Sequence, residues 1–493
     1  MSVLTDAGAR PAFTAAQVRD AEDQLLAVSP PGALMQRAAA GLAGACADLL
    51  GAVYGRRVLV LAGSGNNGGD ALFAGARLAR RGAQVQALLL SPEQAHQAGL
   101  AALRTAGGRV TDSLDDLAVC DLALDGIVGL GASGGLRPHA AAAWEWVRAT
   151  GCPVVAVDVP SGIDVDDGTA DGSHVLADIT VTFGAAKVGL LVGVGARAAG
   201  AVQVIDIGLS PHLPTPTTVA VTRASVGSWL RAAQPTPQSH KYTRGVVGVA
   251  AGSAQYTGAG VLAVSAANCG LAGMVRYLGP AEVADLVRNR HPEVVVGAGR
   301  VQAWVVGSGG GDDTAGVLDR AVADQVPLVV DADALQHVTA PLPVPALLTP
   351  HAGELARMLD ADRGDVEADP MRYARSAAER FEAAVLLKGH RTVIAPAPTS
   401  EQPAPPVWVN TSGTRWLATA GAGDVLAGLC GALLAARPDD AGDDAGDDLG
   451  QVGSVGAWLH GAAATYASQG APITAADLLA ALPSVIGDVL GGP

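Results

Sequence analysis

Two glycine-rich stretches carry the residues best suited to chemistry. In VLVLAGSGNNGGDALFAGARLARRG a strand-type run passes through a glycine turn into a helix, with Asn66, Asn67 and Asp70 at the turn. In WLATAGAGDVLAGLCGALLA a second helix opens on Gly421, Gly423 and Asp424. The start of a helix leaves N–H groups free and carries the positive end of the dipole, so both loops are seats for phosphate or another anion. Asp424 stands beside its seat, which suits phosphoryl transfer: the N–H groups hold the moving charge while the carboxylate takes a proton from the accepting hydroxyl. The plainer alternative is an N-cap aspartate. No GxxxxGK[ST] is present, so this is not a P-loop.

The first loop, GSGNNGGD, lacks the spacing of the dinucleotide fingerprint, and helix capping by Asn and Asp is its plainer reading. Other strand-type runs end on Asp125, in LALDGIVGLGASGGLR, and on Asp158, in VVAVDVPSGID. Asn67, Asp125 and Ser161 offer hard oxygen ligands for a cation. Asp158 and Lys187 form a candidate acid/base pair, with a loop-pinning salt bridge as the alternative. Lysine itself is informative, since only Lys187, Lys241 and Lys388 stand among 32 basic residues. Where a chain otherwise prefers Arg, a retained Lys marks chemistry that needs a compact, tunable charge. Lys187 and Lys388 both follow strand-type runs and enter glycine turns.

These residues need a frame. Residues 13–50 read as two amphipathic helices. Apolar runs (RVLVLAG, AQVQALLL, LALDGIVG, PVVAVDVPSG, ITVTFG, VQVIDIGL) then alternate with helical stretches, predicting a parallel sheet covered on both faces with ligands at the strands' C-terminal ends. A Pro/Thr/Ser-rich stretch between Leu209 and Arg244 reads as a linker, with a boundary near residue 220. The second half repeats the alternation through GVVGVAAG, GMVRYLG, AWVVGSGGG, VPLVVDADAL, ALLTPHAGE, AAVLLKGHRTVIA and PVWVN. The fold class is therefore α/β with two domains, each a doubly covered, mainly parallel sheet. RPDDAGDDAGDDLG reads as a solvated loop without function.

The 493 residues, nearly half apolar, suffice for two or three cores. A net charge of −15 and sparse aromatics argue against nucleic acid and acidic membrane as partners. The N-terminus lacks a signal-peptide pattern, and five scattered cysteines read as buried thiols of a reducing compartment, so a cytoplasmic protein is expected. A homo-oligomer is also expected.

In order and spacing, AGSGNNGGDALFAGARLARRG, LDGIVGLGASGGLR, VDVPSGID and ADITVTFGAAKVGLL resemble the NAD(P)H-hydrate epimerase family over residues 15–210. The resemblance implies a Rossmann-like domain (residues 1–215). In it Asn66, Asn67, Gly68, Gly69 and Asp70, the loop Gly129, Leu130, Gly131, Ala132, Ser133, Gly134 and Gly135, and Asp158 hold the hydrated dinucleotide. It further implies potassium on Asn67, Asp125 and Ser161; Asp158 and Lys187 are the candidates for moving protons as C6 of the nicotinamide ring inverts. Leu130 stands where the family often has Thr.

HKYTRGVVGVAAGSAQYTGAG, VVGSGGG, VVDADAL, LLTPHAGE, LLKGHRTVIA and TAGAGDVLAG resemble the ADP/ATP-dependent NAD(P)H-hydrate dehydratases, of ribokinase-like fold, over residues 222–490. The implied layout is a linker over 216–240 and a dehydratase domain over 222–493. The resemblance implies that Ala259, Gly309, His351 and Asp424 contact the hydrate, with Asp424 catalytic. Lys388, Gly389, His390, Arg391, Thr392 and Gly423 hold the adenine nucleotide, ADP or alternatively ATP, with Mg²⁺ on its phosphates. Ser308, Ala422 and Gln336 depart from the family's usual Pro, Thr and Asn. Asp331, Asp333 and Glu354 read as strand-end caps rather than metal ligands. The rival reading is a ribokinase-like small-molecule or vitamin kinase carrying a non-catalytic N-terminal binding module.

Overall fold

A computed structural model describes residues 8–131, 134–437 and 445–491. Ala132, Ser133 and residues 438–444 of the aspartate-rich stretch lie outside the described residues. The chain divides into two compact units, Pro11–Thr217 and Thr218–Pro493, with residues 1–10 grouped with the second.

In the first unit the strands are β1 (Arg57–Ala62), β2 (Gln84–Leu89), β3 (Arg109–Thr111), β4 (Leu122–Gly126), β5 (Val154–Val157), β6 (Ile179–Phe183) and β7 (Ala201–Ile205). All pair in parallel, in the order β3-β2-β1-β4-β5-β6-β7. The apolar side chains of β1, β4 and β5 are buried on both faces, which is why these strands read as continuous apolar runs. Strand order reverses between β1 and β4, and doubly wound sheets bind ligands at such a switch point. The expected helices form at Ala15–Val28 and Ala33–Leu50. Thr14 and Gln17 close a capping box that fixes where the first begins. The short β3 has too little apolar patterning to stand out in the sequence.

The second unit contains β8 (Thr218–Ala220), β9 (Val246–Ala250), β10 (Met274–Tyr277), β11 (Val295–Val296), β12 (Ala303–Val306), β13 (Leu328–Val330), β14 (Ala346–Leu348), β15 (Ala384–Leu387), β16 (Thr392–Ala395) and β17 (Val407–Asn410). Their order is β11-β10-β9-β12-β13-β14-β15-β16-β17-β8. Pairing is parallel through β15, antiparallel at β15–β16 and β16–β17, and parallel again at β17–β8. The switch point falls between β9 and β12.

Three sequence readings need correction. The Pro/Thr-rich stretch is not a bare linker: β8 pairs with β17, and a helix over Arg223–Ala232 follows, capped by Thr222 and Ser225. Val219, Val221, Trp229 and Leu230 are buried in the second unit's core, and that burial outweighs the local proline content. The aspartate-rich stretch is not all loop, because the helix Ala445–Ser468 takes up its end. Cysteine burial is also incomplete: Cys152 and Cys269 are partly exposed, and the Cys152 sulfur lies 3.2 Å from that of Cys120.

Candidate active sites

At the end of β5, Asp158 adopts φ +69°, a left-handed backbone that costs a non-glycine residue about 1–3 kcal/mol. Its neighbours hold it there. Its N–H donates to Val181 O at 2.8 Å, and its Oδ1 accepts from Lys187 Nζ (2.6 Å), Thr182 Oγ1 (3.1 Å) and Phe183 N (3.2 Å). Oδ2 takes no hydrogen bond from the described residues. Lys187 is 0% exposed, and its ammonium also donates to Thr182 Oγ1 and Phe183 O, both at 2.9 Å. Ala12 and Phe13 pair in parallel with Ala186 and Lys187 and so fix the lysine's position.

All three Lys187 donors are committed within the protein, so the side chain holds one oxygen of the carboxylate, and it is not among the residues that line the neighbouring open space. The pair is a buried salt bridge whose acid also faces open space.

That space is a cleft of about 1200 Å³ at the β1/β4 switch point. Asn66, Asn67, Asp70, Gly129, Leu130, Gly131, Gly134, Gly135 and Asp158 line it; Gly68 and Gly69 lie beneath, buried in the first turn of the helix Asn66–Arg80. That helix has Gly65 at its N-cap and no side-chain cap, so Asn66, Asn67 and Asp70 are not capping residues. The buried Asn67 Nδ2 and Asp70 Oδ1 have no hydrogen-bond partner among the described residues.

Beside the cleft Asp125 is 1% exposed. Its Oδ1 accepts from Ser161 Oγ (2.6 Å) and Ile127 N (3.3 Å), and its Oδ2 from Ser161 N (2.8 Å). Among the described residues no cationic side chain pairs with it, and burial pushes its carboxyl up to about 6. The Asn67 side chain lies over Gly129, where an added Cβ would meet Oδ1 at 3.0 Å. A buried carboxylate lacking one positive charge, ringed by amide, hydroxyl and carbonyl oxygens, is a donor set that fits one monovalent hard cation.

Motif reading overlooked the helix Ala15–Val28, which brings Arg19, Glu22 and Asp23 to the same cleft, and His96, which packs over Gly69. Arg19 donates to Leu130 O, so the residue that departs from the family's Thr is held through its backbone. A charged stripe on an amphipathic helix looks like an ordinary solvated face, so only the fold reveals it.

In the second unit the helix Ala422–Ala435 starts after Gly421, with Asp424 in its first turn. Burial pushes Asp424 up to about 6, with Asp331 adding to the rise and Ser308 and Lys388 opposing it. Lys388 Nζ pairs with Asp331 Oδ1 at 2.8 Å, stands 3.9 Å from Glu354 Oε2, and lies 3.6 Å from where a Cβ on Gly423 would sit. Burial disfavours its charge, but Asp331, Glu354 and Asp424 hold the ammonium above its usual range.

The oxygens of Asp331 are taken by Lys388, Thr349 Oγ1 (2.8 Å) and Ser308 Oγ (2.9 Å). Ser308, the departure from Pro, thus adds a hydrogen bond. Glu354 closes a capping box with His351, the N-cap of Ala352–Leu359, and His351 bridges to Lys388 in parallel. Gly309 (φ +60°) touches Ala259, whose Cβ is 2.7 Å from a Cβ built there, so the β9 and β12 loops meet. Arg391 donates to Thr411 O at 2.6 Å, and Gly389, His390 and Thr392 complete the β15–β16 turn beyond Lys388. Ala259, Gly309, His351, Lys388, Gly423 and Asp424 all lie at C-terminal strand ends or the loops and helix starts beyond them. Among the described residues no three His, Cys, Asp or Glu side chains cluster as a metal cage, and no helix is long and apolar enough to cross a membrane.

Residues 31–189 match the family described as YjeF-related protein N-terminus, and residues 247–484 the family described as NAD(P)H-hydrate dehydratase. The bifunctional NAD(P)H-hydrate repair enzyme Nnr of Mycobacterium leprae is 46% identical, covering 86% of this chain and 89% of its own. The enzyme of that name from Corynebacterium glutamicum is 34% identical, over 86% and 87%. The crystal structure of the ADP/ATP-dependent NAD(P)H-hydrate dehydratase from Bacillus subtilis, co-crystallised with ATP/Mg²⁺, is 26% identical. It covers 54% of this chain and 97% of its own, with a TM-score of 0.48.

Proposed function

The chain belongs to the bifunctional NAD(P)H-hydrate repair enzymes, and we propose that its two units divide the work. It is an epimerase that interconverts the R and S hydrates and a dehydratase that returns the S form to NAD(P)H. The observation that carries this reading is the likeness to a bifunctional relative across 86% of the chain, together with the two family matches over residues 31–189 and 247–484.

In the first unit the hydrate lies in the switch-point cleft, held by Asn66–Asp70 and the Gly129–Gly135 loop. The free Oδ2 of Asp158, oriented by Lys187, exchanges a proton with water or hydroxyl at C6. Asn67, Asp125 and Ser161 would hold potassium, whose charge would compensate the buried carboxylate.

In the second unit Ala259, Gly309, His351 and Asp424 receive the S hydrate, and Lys388–Thr392 with Gly423 receive ADP, or alternatively ATP. Asp424 takes the proton of the C6 hydroxyl, whose oxygen then accepts the terminal phosphoryl group. Lys388 and the helix N-terminus hold the charge that builds on the transferred group. Phosphate is a far better leaving group than hydroxide: the N1 lone pair expels it to leave a C6=N1 iminium, and loss of a C5 proton to water then forms the C5=C6 double bond and returns the pair to N1, giving NAD(P)H. The carboxylates here already have protein partners, so Mg²⁺ belongs with the nucleotide's phosphates. The localisation is cytoplasmic, and self-association into a homo-oligomer is part of this reading.

Single substitutions test the division. Asp424→Ala lowers dehydration about 10²–10⁴-fold and spares epimerisation; Asp158→Ala does the converse. Loss of both activities in either variant contradicts two separate sites. A stable phosphorylated product in place of NAD(P)H favours the kinase reading.

A further inference from the structure

The epimerase cleft holds two carboxyl groups with no part so far in moving protons. Asp70 stands in the second turn of its helix, is 8% exposed, lines the cleft, and its Oδ1 has no partner among the described residues. Glu22 reaches the cleft from the helix Ala15–Val28. Their surroundings differ from those of Asp158, which receives an ammonium, a hydroxyl and an N–H on one oxygen. A buried carboxyl lacking donors favours its neutral form. Burial accordingly pushes Asp70 well above the usual carboxylate range, and the charges of Asp158 and Glu22 push it further. Burial also raises Glu22; Lys187 opposes this, Asp158 and Asp23 add to it, and Arg19 opposes it. His96, packed over Gly69, is a further titratable group of the cleft, whose lining also includes Arg19, Asp23, Arg137 and His139.

We propose that Asp70 is the proton donor of the epimerase site, paired with Asp158 as acceptor, and that Glu22 is the positioning charge that keeps the proton on Asp70. Two carboxyl groups whose environments differ this way divide naturally into acid and base. As the C6–O bond breaks, its electron pair stays on oxygen, which takes the Asp70 proton and leaves as water. The N1 lone pair forms the C6=N1 double bond. A second water adds to the other face of C6, the π pair returns to N1, and Asp158 takes the excess proton. Water and protons balance, and the reverse direction starts from ionised Asp70 and protonated Asp158.

This inference rests on the first unit being the epimerase. The test follows conversion of one isolated hydrate epimer by the full-length protein over a range of pH, with dehydration and Tm of the same samples reporting the fold. Asp70→Asn is expected to lower epimerisation kcat about 100-fold or more with little change in KM, dehydration being unaffected. The wild-type rate falls at alkaline pH as Asp70 loses its proton. Glu22→Gln removes a charge that raises Asp70, so that limb moves to lower pH. Asp70→Asn with wild-type kcat and a raised KM makes Asp70 a binding group only and overturns the donor role. An unmoved limb in Glu22→Gln, whose partly exposed side chain keeps this variant foldable, overturns the role of Glu22. A wild-type protein no faster than spontaneous epimerisation overturns the epimerase reading itself, a separate outcome.

Discussion

Asp158 shows how side-chain chemistry and backbone strain serve one purpose. Its left-handed backbone is maintained because Lys187, Thr182 and Phe183 hold one oxygen and leave the other toward the cleft. Lys187→Met strips a buried carboxylate of its counter-charge, so it should cost about 3–5 kcal/mol of stability, read as a lowered Tm, as well as epimerisation. A Tm equal to wild type contradicts the buried pairing. At Asp424 the catalytic form is the ionised base, and burial raises its pKa to about 6. Dehydratase kcat/KM should therefore fall as the pH drops through about 6; a rate flat across that range removes Asp424 as the base. At Asp125, potassium should raise Tm where choline at equal ionic strength does not, and Asp125→Asn should abolish the difference. The positions of Asn67, Asp125, Asp158 and Asp424 were legible in the sequence because each stands at the end of an apolar run or in a glycine-rich turn. Glu22 and Arg19 were not, because they carry no motif and reach the cleft only through the packing of their helix. The same limit holds for Lys187: spacing paired it with Asp158 but could not say that, of the two, Asp158 lines the cleft.

Among the elements, parallel strands put the loops that follow them on one edge, so motifs scattered over the sequence converge. The helix Ala422–Ala435 can carry Asp424 to its place only if it lies close to Thr257–Ala267. It does so at Gly428, where an added Cβ would sit 2.1 Å from Ala263 O. Gly428→Ala forces the helices apart, an overpacking cost of about 1–3 kcal/mol, and should depress dehydration while epimerisation persists. Unchanged dehydration and Tm would contradict that close approach. Strands with continuous apolar runs were readable from the sequence. The edge strand β3, the two-residue β11 and β8 within the proline-rich stretch were not, because pairing rather than local composition makes them strands.

For the whole molecule, two chemistries on one chain answer a stereochemical problem. A dehydratase that accepts one C6 epimer strands the other, and an epimerase on the same chain removes that limit. The resemblances read in the sequence reach into both units, and the bifunctional relatives match most of the chain. The most direct measurement follows the near-ultraviolet absorbance of the dihydronicotinamide ring after the full-length protein meets a mixed-epimer NADH hydrate with ADP, Mg²⁺ and K⁺. Two active units predict recovery of the whole hydrate as NADH, faster than the epimers interconvert unaided. Recovery that halts at the S fraction and then creeps at the spontaneous rate would contradict a catalytic first unit, and no recovery with ADP or ATP would contradict repair altogether.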